Sequence, residues 1–272
     1  MRLRFTVAYH GGDFSGWQSQ AGGDTVQDTL EKAFATISRT PIVVYGAGRT
    51  DAGVHALAQC AHADVPDHSL TPERWQRALN SQLPQGVRVM TASAARPGFH
   101  ARFSAKGKIY RYSIWNNPSM LPTERDRAWH VPHTVDPALL RLACQAFVGT
   151  HDFAAFSANR RNDPRSTVRE ITAIQNSHRG PRITLTFHGT GFLYKMVRML
   201  TAAAIRCGTA RFDLADLRSR LASGTPRWNI VAPAEGLCLV RVRYSLDNHN
   251  AARKETPNLG GSKKCHPNAA NN

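Results

Sequence analysis

The stretch GVHALAQCAHADV, residues 53–65, decides how the first part of this chain folds. Its alanines favour a helix. It is bounded by Gly53 and Pro66 and has no clean 3.6-residue period. From the residues alone, helix and strand both stay open. Immediately before it lies a glycine-rich loop, GAGRTDAG (46–53), which carries a single acid, Asp51, directly behind Arg49.

Further out the signals are clearer. LRFTVAY (3–9) alternates apolar and polar residues and reads as a strand. HGGDFSGWQSQAGGD (10–24) is a long loop, and TVQDTLEKAFATIS (25–38) a helix with Thr25 as N-cap and Asp28 at the box position. PIVVYGAG (41–48) is a strand running into the acid-bearing loop. TPERWQRALNSQL (71–83) is a helix with Pro72 in its first turn, and VRVMTASAA (87–95) a strand. The first hundred residues thus mix strands and helices.

The second half does the same. KIYRYSIW (108–115) has period two, with Ile109, Arg111, Ser113 and Trp115 on one face and Tyr110, Tyr112 and Ile114 on the other. DPALLRLACQAFVG (136–149) is a helix. VREITAIQNSH (168–178) and RITLTFHG (182–189) form a hairpin turning at Arg179–Gly180. FLYKMVRMLTAAAIRCG (192–208) is a helix, and DLADLRSRLASG (213–224) another, capped by Asp213 and stopped by Gly224. LCLVRVRYSL (237–246) is the last strand. The expected organisation is an α+β fold (mixed α/β) in two α/β subdomains, 1–105 and 106–246. A basic tail, 247–272, has no aromatic residue and one leucine, and is expected to be disordered.

The chain has 272 residues, with 35 Lys and Arg against 19 Asp and Glu, a formal net charge of +16. That excess points to a polyanionic partner, nucleic acid first. No run of about 18 apolar residues offers a membrane span. The N-terminus reaches turn residues too early for a signal peptide. The 5 cysteines are odd in number and form no CxxC pair, which suits a reducing cytoplasm and argues against disulfides or a zinc ribbon.

Chemistry narrows to a few positions. Gly46, Gly48 and Gly53 could cradle a phosphate, but a carboxylate at Asp51 would repel it, and the pattern is not a P-loop. An ionised Asp51 near Arg49 suits a nucleophile or general base; it could also simply cap a turn. Tyr110 and Tyr112, flanked by Lys106, Lys108 and Arg111, could stack on bases while the cations meet phosphates, or they could be core. Arg160, Arg161, Arg165 and Arg169 form a basic loop suited to the RNA backbone. Lys195 and Arg198, three apart, fall on one helix face, where Arg198 could pair with a buried acid such as Asp51. His55, His62, Asp64, Asp67 and His68 cluster without matching a closed zinc pattern, so no metal is expected. No GxSxG motif is present.

Six segments, taken in order, resemble the tRNA pseudouridine synthase A family: YHGGDFSGWQSQ (9–20), TVQDTLEKAF (25–34), GAGRTDAGVHALAQ (46–59), FHARFSAKGKIYRY (99–112), GTGFLYKMVRML (189–200) and APAEGLCLVRVRY (232–244). The third is the most diagnostic, and the resemblance extends to about residue 244. It implies isomerisation of uridine to pseudouridine at positions 38 to 40 of the tRNA anticodon stem-loop, with no cofactor and no metal. It implies Asp51 as the catalytic carboxylate, Tyr110 against the target base, and Arg49 and Arg198 organising the site, Arg198 by pairing with Asp51. It also implies a homodimer, a pseudouridine synthase fold whose two similar subdomains share a continuous, largely antiparallel sheet, and a basic active-site cleft. For residues 53–65 it implies a strand.

Overall fold

The computed structural model describes residues 1–66, 70–158 and 166–245. Its strands are β1 (Arg2–Tyr9), β2 (Val44–Gly46), β3 (His55–Asp64), β4 (Val87–Ala94), β5 (Ala105–Trp115), β6 (Trp129–His130), β7 (Gly149–Asp152), β8 (Val168–Arg179), β9 (Arg182–Gly189) and β10 (Leu237–Tyr244). The helices are α1 (Val26–Ser38), α2 (Pro72–Gln82), α3 (Pro137–Ala146), α4 (Met196–Gly208) and α5 (Leu214–Ser223). The strands make one sheet in the order β4-β1-β3-β10-β5-β9-β8-β7, with β2 on β3 and β6 on β5. Pairing is antiparallel except at β3–β10 and β5–β6. This is a mixed α/β architecture on a mostly antiparallel sheet.

Residues 53–65 are a strand in the middle of it. β3 has β1 along one edge and β2 and β10 along the other. Gln59, Cys60, Ala61, His62 and Ala63 are buried in succession, so both faces of the strand are covered. A strand buried on both faces loses the apolar–polar alternation that would have identified it.

Side-chain alternation in β1 then divides the molecule. Leu3, Phe5 and Val7 face α1 and α2, where Phe34 packs 5.6 Å from Phe5 and 5.4 Å from Trp75 between ring centroids. Arg2, Arg4 and Thr6 face the other way. Thr25 caps α1 by accepting from the Asp28 N–H, and Asp213 caps α5 by accepting from the Ala215 N–H. Gly224, left-handed at φ 70°, ends α5. α4 is buried almost all round and packs on α3.

The structure corrects several sequence expectations. α4 starts at Met196, not at Phe192. Lys195 sits before it with φ 59°, so Lys195 and Arg198 share no helix face. The turn that sets Lys195 there is closed by the Met196 N–H donating to the Leu193 carbonyl. The short strands β6 and β7 are too brief to leave a period in the sequence. The expected tail, 247–272, lies outside the described residues. Among the described residues, no helix is long and apolar enough to cross a membrane.

Candidate active site

The acid-bearing loop, residues 47–54, leaves β2 and enters β3. It is fixed from below: the Ala47 N–H donates to the Cys60 carbonyl, Gln59 Nε2 to the Gly48 carbonyl at 2.7 Å, and the Val54 N–H to the Asp51 carbonyl. A second segment braces it from the side. The Trp17 N–H donates to the Thr50 carbonyl, and Tyr9 and Thr50 hydroxyls lie 2.8 Å apart. Gly11 approaches so closely that a Cβ there would overlap the backbone of Gly53 and Val54. Along the loop, exposure changes from residue to residue: Arg49 is exposed, Thr50 buried and Asp51 half-buried.

Arg198, in the first turn of α4, donates from Nη1 to Asp51 Oδ2 at 2.7 Å and from Nε to the Ala232 carbonyl at 2.7 Å. The two side chains are 14% and 21% exposed, so water screens the pair only in part. One carboxylate oxygen is thereby held. Oδ1 has no hydrogen-bond partner among the described residues. The guanidinium, itself held at two points, fixes the orientation of the Asp51 carboxylate through that one oxygen.

Tyr110, on β5, is buried and stands edge-on to Phe192, 5.2 Å between centroids. Sheet register explains its place: Tyr110 pairs with Leu239, Leu239 with Ala56, and Ala56 with Tyr9, one row on the face that carries the helices. Burial, reinforced by the nearby Asp51 charge, pushes the Tyr110 hydroxyl far above its ordinary range, so it stays a neutral phenol. Tyr112 is core: fully buried, with its hydroxyl donating to the Pro233 carbonyl. It is not a stacking surface.

The remaining cations separate. Arg49 does not pair with Asp51; it is exposed and donates from Nε to Gln18 Oε1 at 3.1 Å. Lys108 lies two residues before Tyr110 on the same face, and its Nζ packs on Gly48, where a Cβ would overlap it. Burial, then the Arg102 charge, lowers the Lys108 ammonium to about 8. Lys106 is exposed at the start of β5. Arg111 faces away from Asp51: alternation along β5 sends it to the opposite face of the sheet. There it lines a groove of about 610 Å³ with Arg127, Arg182 and Glu235. Arg160, Arg161 and Arg165 lie outside the described residues, as do Asp67 and His68. Among the described residues, no cluster of three or more His, Cys, Asp or Glu is placed to hold a metal. His55 instead bridges the Gly11 N–H and the Glu235 carbonyl, and Asp64 is held by Arg2.

Sequence reasoning missed Tyr9, Thr50, Gln18 and Phe192. Thr50 is the chain neighbour of Asp51, while the fold brings Tyr9 to Thr50, Gln18 to Arg49 and Phe192 to Tyr110. The density of Tyr, Trp and Gly in residues 9–17 was the available signal.

A family model described as tRNA pseudouridine synthase matches residues 6–104 and 143–245. A tRNA pseudouridine synthase A from Akkermansia muciniphila is 45% identical over 93% of this chain and 98% of its own length. One from Solidesulfovibrio magneticus is 47% identical over 89% and 91%. A solved Cbf5-Nop10-Gar1 complex covers 88% of this chain and 49% of its own at 9% identity and a TM-score of 0.36, a likeness too slight to bear on the site.

Proposed function

The chain belongs to the tRNA pseudouridine synthase family, and on that premise we propose that Asp51 is the nucleophile of an isomerase that converts uridine to pseudouridine in the tRNA anticodon stem-loop, at positions 38 to 40. The observation that supports the reading is the half-held carboxylate: Arg198 occupies Oδ2 and leaves Oδ1 available to react.

The chemistry balances without an oxidant or reductant. In one route Asp51 attacks C1′ of the target nucleotide, and the N1–C1′ bond breaks with its electron pair leaving on the base. The base turns in the cleft, C5 attacks C1′, and the carboxylate leaves again. The proton on C5 is then lost and N1 takes one up. In the other route Asp51 adds at C6, placing an electron pair at C5; the N1–C1′ bond breaks with its pair on N1, the base turns, C5 bonds C1′, and loss of the C5 proton expels the carboxylate while N1 takes up a proton. A carboxylate serves either, being nucleophilic yet a competent leaving group. The target base must leave its stack to enter, and Tyr110, a neutral phenol braced by Phe192, supplies the floor against which it rests.

Arg49, exposed beside Asp51, and Lys106 and Lys108 on β5 would meet the sugar–phosphate backbone in this reading. Read as an N-terminal subdomain to residue 105 and a C-terminal one to residue 246, the chain would carry Asp51 on the first and Tyr110 and Arg198 on the second, with substrate across their junction. A homodimer working in the cytoplasm completes the reading.

The test is an unmodified tRNA transcript carrying uridine tritiated at C5. Wild type releases tritium to water, and Asp51→Ala releases none while still binding the RNA. Tight binding with no release from several tRNAs bearing anticodon-arm uridines would overturn the proposal.

A further inference from the structure

A column of rings stands where β2 ends and the acid-bearing loop begins. Tyr45 stacks on His62, 5.1 Å between centroids and 21° between planes. His62 meets His100 at 4.6 Å, and His100 meets Phe103 at 4.3 Å. The middle is anchored: His62 is buried, and its Nδ1 accepts the Ala101 N–H. The outer members are not. Tyr45 is 47% exposed and Phe103 is 76% exposed. The Arg102 guanidinium lies 5.7 Å from the Phe103 ring centre.

Folding alone gives no reason for this arrangement. Phe103 stabilises little while three quarters of it remains in water. A packed series of rings ending in an exposed aromatic side chain, with a cation beside it, has the make-up of a base-stacking platform. Charge favours the same occupant: the chain carries +16, and Arg102, beside the Phe103 ring, is exposed, as are Lys106 and Arg49. The platform adjoins the cleft. Tyr45 lies six residues before Asp51, Lys108 packs on Gly48 between them, and Arg102 is close enough to weaken the Lys108 ammonium.

We propose that Tyr45, His100 and Phe103 form a second stacking site, separate from Tyr110, that takes an unpaired nucleobase of the RNA flanking the target uridine while Arg102 meets the adjoining phosphate. The site rests on the RNA-modifying function proposed above. It would hold the strand on one side of the flipped nucleotide and so limit which uridines reach Asp51.

The experiment uses full-length protein and anticodon stem-loop RNAs in which 2-aminopurine replaces each unpaired loop base in turn. Stacking on an aromatic ring changes the fluorescence of the probe. Wild type is expected to quench one flanking position beyond what binding alone causes. Phe103→Ala and Tyr45→Ala should lose that quench and weaken RNA binding roughly 5- to 100-fold, and Phe103→Trp should keep both. If no position responds, or Phe103→Ala binds and quenches like wild type, the platform is wrong. If Phe103→Ala changes the oligomeric state, the ring packs against a second copy of the chain and the proposal fails. Tritium release in the same samples separates the two readings. Quenching without release would leave the platform standing and remove the isomerase. Release without quenching would do the reverse.

Discussion

Arg198 reaches across 147 positions of sequence to donate to Asp51 Oδ2 at 2.7 Å, and the same guanidinium ties down the carbonyl of Ala232. Arg198→Ala should leave a partly buried carboxylate without its partner and lower kcat/KM by roughly 10²-fold, about 2.7 kcal/mol of transition-state stabilisation. Arg198→Lys should restore only part of the rate. An ammonium supplies the charge, but it cannot span both acceptors as a planar guanidinium does. Single-turnover rates on saturating RNA distinguish the two variants.

Gly16 has φ +91°, and a Cβ there would lie 2.7 Å from the Thr50 carbonyl oxygen, the acceptor of the Trp17 N–H. Gly16→Ala should cost about 1–3 kcal/mol of stability through left-handed strain. The displaced Thr50 should also misplace its neighbour Asp51, so activity at 25 °C should fall further than the loss of folded protein explains. Thermal melts and tritium release on the same samples check this.

Lys108 gives a signed pH dependence. Its ammonium is lowered to about 8 by burial and Arg102, against an unfolded value near 10.5. The unfolded chain therefore binds more protons between those values, and the folded state gains stability as pH rises from 8 to 10.5. Lys108→Met should raise Tm at pH 7 by a few degrees, about what 1 kcal/mol is worth in a chain of this size, and the gain should shrink toward pH 10.5. RNA affinity of wild type should fall as pH passes through 8. Lys108→Met should bind more weakly at pH 7 and show no such step.

His62 acts at the acid end. Burial first, then the neighbouring His100 and Arg2 charges, lowers its imidazole to about 4, while Asp64 opposes the shift. The unfolded chain protonates near 6.5 and the folded one does not. Stability from this residue is full above 6.5 and is lost as pH falls toward 4. A plot of Tm against pH should bend downward in that window, and His62→Gln should flatten the bend.

RNA binding should weaken steeply with salt, since exposed cations around the cleft release counterions from the backbone. Replacing exposed Arg49 with Gln should reduce the slope of log K against log salt by about one unit. Arg111→Gln, on the opposite face, should leave the slope unchanged. Filter binding between 50 and 200 mM salt measures both.

How much of this was legible beforehand varies by element. The caps at Thr25 and Asp213 and the stop at Gly224 were readable because capping depends on residues two to four apart. The two faces of β5 followed from period two, yet that period could not say which face would meet Asp51. It gave Tyr110 and Tyr112 equal standing; both are buried, Tyr110 edge-on to Phe192 and Tyr112 bonded to the Pro233 carbonyl. β3 resisted a reading from its residues because burial on both sides erased its pattern.

The sequence by itself determined the local pieces, the basic character, the family, and Asp51 as the one acid in its loop. Only the tertiary structure decided which cation serves that acid. Arg49, two residues away, is exposed and donates to Gln18. Arg198 is brought to it because β3 and β10 pair side by side and α4 packs on the same face of the sheet. Neighbours in sequence are fixed by covalent geometry, but neighbours in a site are fixed by which surfaces the chain must bury.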